Sequence, residues 1–270
     1  MKKYCLLIFV GFALSSFGQD VLDGAYEKIT LKEKEIIPYE HIREADVMWS
    51  KRVWRIIDVR EKMNLPFKNA LKPLIEIIHN AAKEGNVQVY DPGVLGADAF
   101  KSGMTAQDVT KIGSRVDTTW TVDPVTLKEV QTVTVQEFDP TKIVKYRMKE
   151  DWFFDEETST MMVRIIGIAP VMESFDESGN ARGDQTMYWV YYPDLRPILT
   201  KFPVYNTKND ATSISWEDLF EARYFNSYIY KESNVHDRNI QEYATGLDLL
   251  YESERIKEDI RNYEHDLWEF

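Results

Sequence analysis

The stretch from Lys142 to Tyr192 constrains the fold of this chain most strongly, because it holds three apolar segments separated by turn residues. In the first segment, apolar side chains alternate with the basic side chains of Lys145, Arg147 and Lys149. An alternation with a period of two predicts a strand with one buried and one solvated face. This strand is expected to begin an antiparallel meander.

The second and third segments complete the predicted meander. The residues from Met161 to Ala169 are apolar on both parities except Arg164, which is typical of a central strand covered on both faces. A polar, glycine-containing loop then leads to a third strand over Met187 to Tyr192. Pro193 ends that strand because proline has no backbone N–H to donate.

Helical patterns precede the meander. An amphipathic repeat over residues 42–60 predicts the first helix. Pro73 opens a second helix that ends at Gly85, and Thr105 with Asp108 has the spacing of a capping box for a short third helix.

Further runs have the composition of strands. Val87 to Tyr90 predicts a short strand, and the runs Asp117 to Val122 and Thr126 to Phe138 are expected to extend the meander upstream. After the meander, the Leu195-Arg196-Pro197 tripeptide is expected to break the chain, and Ile198 to Tyr205 is at most an edge strand because Pro203 interrupts it.

Two more capping-box patterns follow the meander. Ser215 with Asp218 predicts a helix through Tyr230, and Thr245 with Asp248 predicts a last helix that runs toward the C-terminus. The resulting order of helices, strands and helices predicts an α+β fold, in which an antiparallel β-meander is flanked by N-terminal and C-terminal helices.

The N-terminus predicts export. Two lysines precede an apolar run from Tyr4 to Leu14, and small residues permit cleavage after Gly18, so residues 1–18 are expected to be a signal peptide. Residues 19–40 lack a sustained period and are expected to form a flexible arm or linker, and residues 41–270 a single domain. Cys5 is the only cysteine, so the mature chain is expected to fold without disulfides.

The charge balance argues against nucleic acid and anionic lipid as partners. The chain has 33 basic and 45 acidic residues, a net charge of −12, and removal of Lys2 and Lys3 leaves 31 basic residues and a net charge of −14. No later run is long and apolar enough to predict a membrane span.

The sequence contains no recognisable catalytic or metal-binding motif. Its four histidines are not at metal-ligand spacing, and HExxH, CxxC, GxxxxGK and GxSxG patterns are absent. His236 and Asp237 are adjacent in a predicted loop, where capping of the loop is a better explanation than an acid–base pair. We therefore expect no catalytic residue, cofactor or metal.

Three segments carry a resemblance to a known family. They are RIIGIAPV at Arg164 to Val171, YWVYYPDLRPIL at Tyr188 to Leu199, and WEDLFEARYFNSYIYKESNVHDR at Trp216 to Arg238. Together with the export signal, they resemble the GldN/PorN family of gliding-motility and type IX secretion proteins. The resemblance covers most of the mature chain and is most specific in its second half.

The resemblance implies a non-enzymatic structural component in the periplasm. It implies a ring assembled from copies of the chain and an outer-membrane lipoprotein of the GldK/PorK type, which would associate the protein with that membrane. It also implies contact with the periplasmic domain of the GldM/PorM-type motor. Two alternatives remain open: a hydrolase with an unrecognised site, and a carbohydrate-binding module with the aromatic strand Tyr188 to Tyr192 as its platform.

The last predicted helix supplies candidate partner contacts. An apolar stripe runs along it, and two large aromatic residues follow near the terminus, where a chain usually frays unless it is held. We predict partner contacts at Tyr263, Leu267, Trp268 and Phe270. The alternative is that the stripe packs on the protein's own sheet.

Overall fold

The computed structural model describes residues 33–70, 72–93, 100–122, 129–136, 138–175, 181–206, 209 and 214–267. The predicted signal peptide, residues 19–32 of the predicted arm, and the candidate contacts Trp268 and Phe270 lie outside the described residues.

The described strands and helices alternate along much of the chain. The strands are β1 (Val47–Asp58), β2 (Val89–Tyr90), β3 (Arg115–Val122), β4 (Glu129–Gln136), β5 (Ile143–Asp155), β6 (Thr160–Phe175), β7 (Ala181–Thr186), β8 (Trp189–Tyr191), β9 (Pro203–Val204), β10 (Ile214–Ser215) and β11 (Tyr228–Glu232). The α-helices are α1 (Leu74–Lys83), α2 (Ala106–Lys111), α3 (Tyr192–Leu199), α4 (Trp216–Glu221) and α5 (Leu247–Asp266).

A seven-stranded antiparallel sheet organises the fold. Its strands follow the order β11-β1-β5-β6-β8-β2, and β7 pairs with the far end of β6. The predicted α+β class is confirmed, as is the pairing of successive strands around β5 and β6. The middle strands β1, β5 and β6 have neighbours on both sides, so they are not exposed edges.

The central strand β6 is longer than predicted. Beyond Ala169 it continues to Phe175, and the chain returns as β7 in the segment predicted to be a loop. Ile165 is buried, whereas its neighbour Ile166 is half-buried. The expectation of a strand covered on both faces therefore applies to part of β6 only.

The prediction of a helix over residues 42–60 is wrong, because most of this segment forms the strand β1. Along its first half, half-buried Val47, Trp49 and Lys51 alternate with exposed Met48, Ser50 and Arg52, which is the period of a strand. Along its second half both faces are buried, so apolar residues stand at nearly every position. Some of them are spaced three or four residues apart, which resembles the pattern of a helix. Pairing with β5 on one side and β11 on the other decides the outcome.

Two other predicted boundaries are also wrong. The helix that begins after Ser215 ends at Glu221, and Tyr228–Glu232 forms β11 at the edge of the sheet. The Leu195-Arg196-Pro197 tripeptide, which is predicted from the sequence to break the chain, lies inside α3. Pro193 occupies the first turn of this helix, where the missing N–H is not needed.

The strands β3 and β4 pair only with each other in the described structure. They form a separate two-stranded sheet rather than an upstream extension of the meander. Their strand character is confirmed, whereas their predicted position in the main sheet is wrong.

Helix ends follow local chemistry closely. Capping boxes at Thr105 and Ser215 start α2 and α4 as predicted. The predicted cap at Thr245 is wrong, since α5 starts after Gly246, whose φ of 61° suits glycine. At the end of α1, Gly85 has a φ of 73° and the backbone N–H of Asn86 donates to the carbonyl of Ala81, as in a Schellman motif.

The two faces of the sheet differ. On the first face, which we call the helical face, Val53, Arg55, Ile57 and Tyr146 project toward the layer that contains α1, α3, α4 and α5. The second face carries Trp54, which packs in a small aromatic cluster with Ala169 and Trp189. No helix residue belongs to this cluster within the described part of the chain.

Candidate interaction surfaces

The C-terminal helix α5 packs on the helical face of its own sheet. Ile256 and Ile260 of the apolar stripe are buried against Val53 and Ile229. Ser253, a polar residue on the same side of the helix, is buried too. The Ser253 hydroxyl accepts a hydrogen bond of 2.8 Å from the backbone N–H of Ile229. The own-sheet alternative therefore accounts for the middle of the apolar stripe.

The two described candidate contacts lie beyond this buried part of α5. The Tyr263 ring stacks on the Trp49 ring of β1, with centroids 4.6 Å apart, and Leu267 is half-buried just after the helix ends. Tyr263 thus contacts its own chain. A partner contact at any of the four positions remains a prediction.

A different side of α5 is exposed. Leu247, Leu250 and Tyr251 have exposed fractions of 69%, 52% and 71%, and their spacing of three and four residues puts them on one face near the start of the helix. The sequence pattern contained this second apolar face, but the longer buried stripe obscured it.

The last part of the predicted arm is held on α3 and α4. The Tyr39 ring lies between the guanidinium groups of Arg164 and Arg196, which are 4.4 and 3.9 Å from the ring centroid. The Tyr39 hydroxyl donates to the Glu221 carboxylate, and burial together with this carboxylate raises the pKa of Tyr39. Lys34 forms a further ion pair with Glu217 at 3.3 Å.

Arginine also bonds the backbone of the arm. Arg196 Nη2 donates to the carbonyl of Ile37 at 3.1 Å, and Arg164 Nη2 donates to the carbonyl of Glu40 at 2.8 Å. Arg196 is itself fixed by a bond of 2.7 Å to the Glu217 carboxylate. Residues 34–40 therefore have a defined site on the chain, which neither periodicity nor composition indicated.

A buried carboxylate organises the helical face near α5. Glu150 is fully buried and accepts hydrogen bonds from Arg55 Nε at 3.0 Å, Trp152 Nε1 at 2.9 Å and Arg223 Nη2 at 2.8 Å. Burial lowers the pKa of Arg55, an effect that the Glu150 carboxylate opposes and the neighbouring Arg223 reinforces. The three donors satisfy a charge that would otherwise be costly to bury.

Arg223 occupies an unusual backbone position. It follows α4 with a φ of 55°, while the N–H of Tyr224 donates to the carbonyl of Leu219, which makes this end a Schellman motif like that of Gly85. Glycine adopts this conformation without strain, and a side chain costs about 1–2 kcal/mol there. The bond from Arg223 to Glu150 offsets that cost.

The second face of the sheet is basic and aromatic. Lys149 and Lys231 lie 5.8 and 4.7 Å from the Trp54 ring, and Arg147 lies 5.4 Å from the Tyr230 ring. Lys149 is only 6% exposed, so the prediction that the basic parity of β5 is fully solvated is wrong at this position. Aromatic neighbours replace part of its hydration.

The residues considered for catalysis do not converge on a site. His79 is buried, its Nδ1 atom lies 3.3 Å from the Tyr188 hydroxyl, and burial with a contribution from Lys83 lowers its pKa to about 4. His236 is exposed, and Asp237 forms an ion pair of 2.7 Å with Lys231. Over the described ranges, no group of three or more His, Cys, Asp or Glu residues is placed to hold a metal ion.

The aromatic strand does not form an exposed platform. Tyr188, Trp189 and Tyr192 have exposed fractions of 0%, 1% and 0%, so the carbohydrate-binding alternative built on this strand is wrong. These rings are part of the core and of the aromatic cluster on the second face. In the part of the chain that the structure covers, none of the helices has the length and hydropathy of a membrane span.

The sequence matches the model of a known protein family. The sequence model of the family described as "Gliding motility associated protein GldN" matches residues 42–269. The match includes the whole seven-stranded sheet and all of α5. No curated protein matches the chain.

Proposed function

This chain belongs to the GldN family, and on that premise we propose that it is a non-enzymatic structural component of the periplasm. As a family member it is a gliding-motility and type IX secretion component. The observation that carries the proposal is the family match over residues 42–269, and the predicted signal peptide at residues 1–18 supports a periplasmic location.

We propose that the assembled protein contacts other copies of itself, an outer-membrane lipoprotein and a motor. Copies of the chain form a ring with a lipoprotein of the GldK/PorK type, which associates the ring with the outer membrane. The ring contacts the periplasmic domain of a motor of the GldM/PorM type. The partner contacts are proposed at the end of α5, where Tyr263 and Leu267 are followed by Trp268 and Phe270.

The test of assembly is a native mass measurement. The mature chain, co-expressed with its lipoprotein partner and purified without denaturant, is expected to elute as a species far above the 31.7 kDa of one full-length chain. A chain that stays monomeric in the presence of the lipoprotein contradicts the ring. Periplasmic fractionation and N-terminal sequencing, which should return Gln19, test the location separately.

The test of the contact region is a deletion of residues 263–270. The isolated truncated chain should still unfold cooperatively, because the buried anchors Ile256 and Ile260 remain, while assembly with the lipoprotein is reduced. Tyr251→Ala tests the other exposed face of the same helix, and a loss of assembly in this variant alone would assign the contact to that face. If the truncated chain does not fold by itself, residues 263–270 belong to the core. If it folds and assembles normally, these residues are not the partner contact.

A further inference from the structure

We infer that the cavity between the end of α5 and the helical face of the sheet binds a carboxylate on a short apolar stem, such as a glutamate side chain of a protein partner. The cavity has a volume of about 320 Å³, which is at the lower end of the roughly 300–1,000 Å³ of small-molecule sites. This inference is independent of the proposed ring and stands on the cavity itself.

Positive charge dominates the wall of the cavity. Arg55, Arg223, Lys257 and Arg261 line it, whereas Glu264 is the only carboxylate among its described lining residues. Lys257 and Arg261 also reach Glu254 and Glu258 on α5, so their charges are partly balanced at the surface.

The charges of the inner wall are only partly balanced. Arg55 and Arg223 share the single buried carboxylate of Glu150, so this group of three side chains carries one excess positive charge, which the more distant Glu254 on α5 offsets in part at Arg55. Within the described residues, the buried Arg223 Nη1 atom makes no hydrogen bond. A buried donor and an excess charge both favour an anion from outside the described chain.

The rest of the wall selects for an apolar stem. Trp152, Met161, Phe225 and Ile260 line the cavity beside the arginines. The Arg55 and Arg223 guanidinium carbons lie 5.8 and 5.3 Å from the Trp152 ring, so the aromatic wall and the cations are adjacent. An amphiphilic group that places its carboxylate on Arg223 and its methylene groups on these side chains fits both parts of the wall.

The experiment uses the full mature chain and small probes. Butyrate is the probe, and butyramide is its neutral counterpart of nearly the same shape. The reporter is the indole N–H signal of Trp152 in nuclear magnetic resonance spectra, assigned with Trp152→Phe. We expect butyrate to shift this signal in a saturable way at millimolar concentrations and butyramide to leave it unchanged.

Three variants sharpen the test. Arg223→Gln and Arg261→Gln should each weaken butyrate binding, by about tenfold or more for Arg223, since hydrogen bonds to charged groups are the stronger ones. Glu264→Gln should strengthen binding, because it removes a negative charge from the wall. The matched control is Arg255→Gln, since Arg255 lies on the same helix but pairs with Glu252 and Asp259 away from the cavity.

The outcomes separate the possible occupants. If N-acetyl-glutamate amide binds more tightly than butyrate, the natural source of the carboxylate is a protein side chain. If butyrate binds more tightly, the source is a free small carboxylate. Inorganic phosphate that binds more tightly than both overturns the assignment to a carboxylate. Equal effects of butyrate and butyramide, or normal binding by both Arg261→Gln and a folded Arg223→Gln, overturn the site.

Discussion

The Tyr263 ring of α5 stacks on the Trp49 ring of β1, with centroids 4.6 Å apart and an angle of 18° between the planes. Trp49 lies in a segment whose periodicity predicts a helix, and Tyr263 is one of the four predicted partner contacts. The stack ties the last turns of α5 to the first half of β1. A substitution of Tyr263 therefore changes the stability of the chain itself, and an effect on assembly must be measured relative to that change.

We expect Tyr263→Ala to lower the free energy of unfolding, because the stacked pair contributes about 0.5–1.5 kcal/mol beyond the burial of its area. Urea denaturation of the isolated mature chain measures the loss. Tyr251→Ala on the same helix is the control and should stay within about 0.5 kcal/mol of the natural chain, since Tyr251 is 71% exposed. Equal losses for the two variants would show that the stack contributes nothing.

The adjacent carboxylates of β5 provide a sharper comparison. Glu150 is fully buried and bonded to Arg55 and Arg223, whereas Asp151 faces the other side of the strand and pairs with the exposed Arg52 at 2.5 Å. We expect Glu150→Ala to cost about 3–5 kcal/mol, because it leaves two cations without their carboxylate. Asp151→Ala should cost about 0–1 kcal/mol, as surface ion pairs do.

Thermal and urea unfolding of both variants at one pH measures this difference. A double variant that also changes Arg223 to Met should recover part of the stability, since it removes one of the unpaired charges. Similar costs at positions 150 and 151 would contradict the buried network.

His79 predicts a specific pH dependence of stability. Its pKa is lowered from 6.5 to about 4 in the folded chain, mainly by burial. The unfolded chain therefore binds the proton more readily, so the contribution of neutral His79 is complete above about pH 6.5 and is lost as the pH falls toward 4. Over this window the loss is at most about 1.4 kcal/mol for each pH unit.

The measurement is the difference between unfolding free energies of the natural chain and His79→Gln at several pH values. Between pH 6.5 and 4 the natural chain should lose stability more steeply than His79→Gln. A cost of the substitution that does not depend on pH leaves this difference in slope unchanged. If the stability of His79→Gln instead falls with pH in parallel with that of the natural chain, His79 is not a buried neutral histidine with a lowered pKa.

Local signals predicted the fold where the chemistry is local. The capping boxes at Thr105 and Ser215 and the turn at Gly85 place helix ends correctly, because each uses hydrogen bonds within a few residues. The alternation in β5 and the apolar run in β6 identify the central strands, because the middle of a sheet needs buried side chains.

Long-range pairing determined what the sequence could not predict. The apolar spacing of residues 42–60 fits a helix as well as it fits a strand whose second half is buried on both faces, and the pairing with β5 and β11 decides between them. The Arg223–Glu150 bond joins residues 73 positions apart, so no motif reports it. One local feature of the sequence does mark this site. Arg223 follows α4 at a position where a helix end commonly has glycine.

The attachment of residues 34–40 gives the last prediction. Tyr39 lies between Arg164 and Arg196, and cation–π contacts of this kind contribute about 0.5–2 kcal/mol each. Tyr39→Leu retains an apolar side chain but loses the ring and the hydroxyl that donates to Glu221. We therefore expect this variant to release the segment from α3 and α4 while the sheet stays folded.

Limited proteolysis followed by mass measurement detects the release. Lys34 is a trypsin site whose side chain pairs with Glu217 at 3.3 Å, so cleavage after Lys34 should be faster in Tyr39→Leu than in the natural chain, with an unchanged midpoint of global unfolding. Ile37→Ala is the control, since Ile37 is 81% exposed and contributes its carbonyl rather than its side chain to the contact with Arg196. If both variants are cleaved as slowly as the natural chain, the ring of Tyr39 does not hold the segment, and the backbone bonds from Arg164 and Arg196 are sufficient.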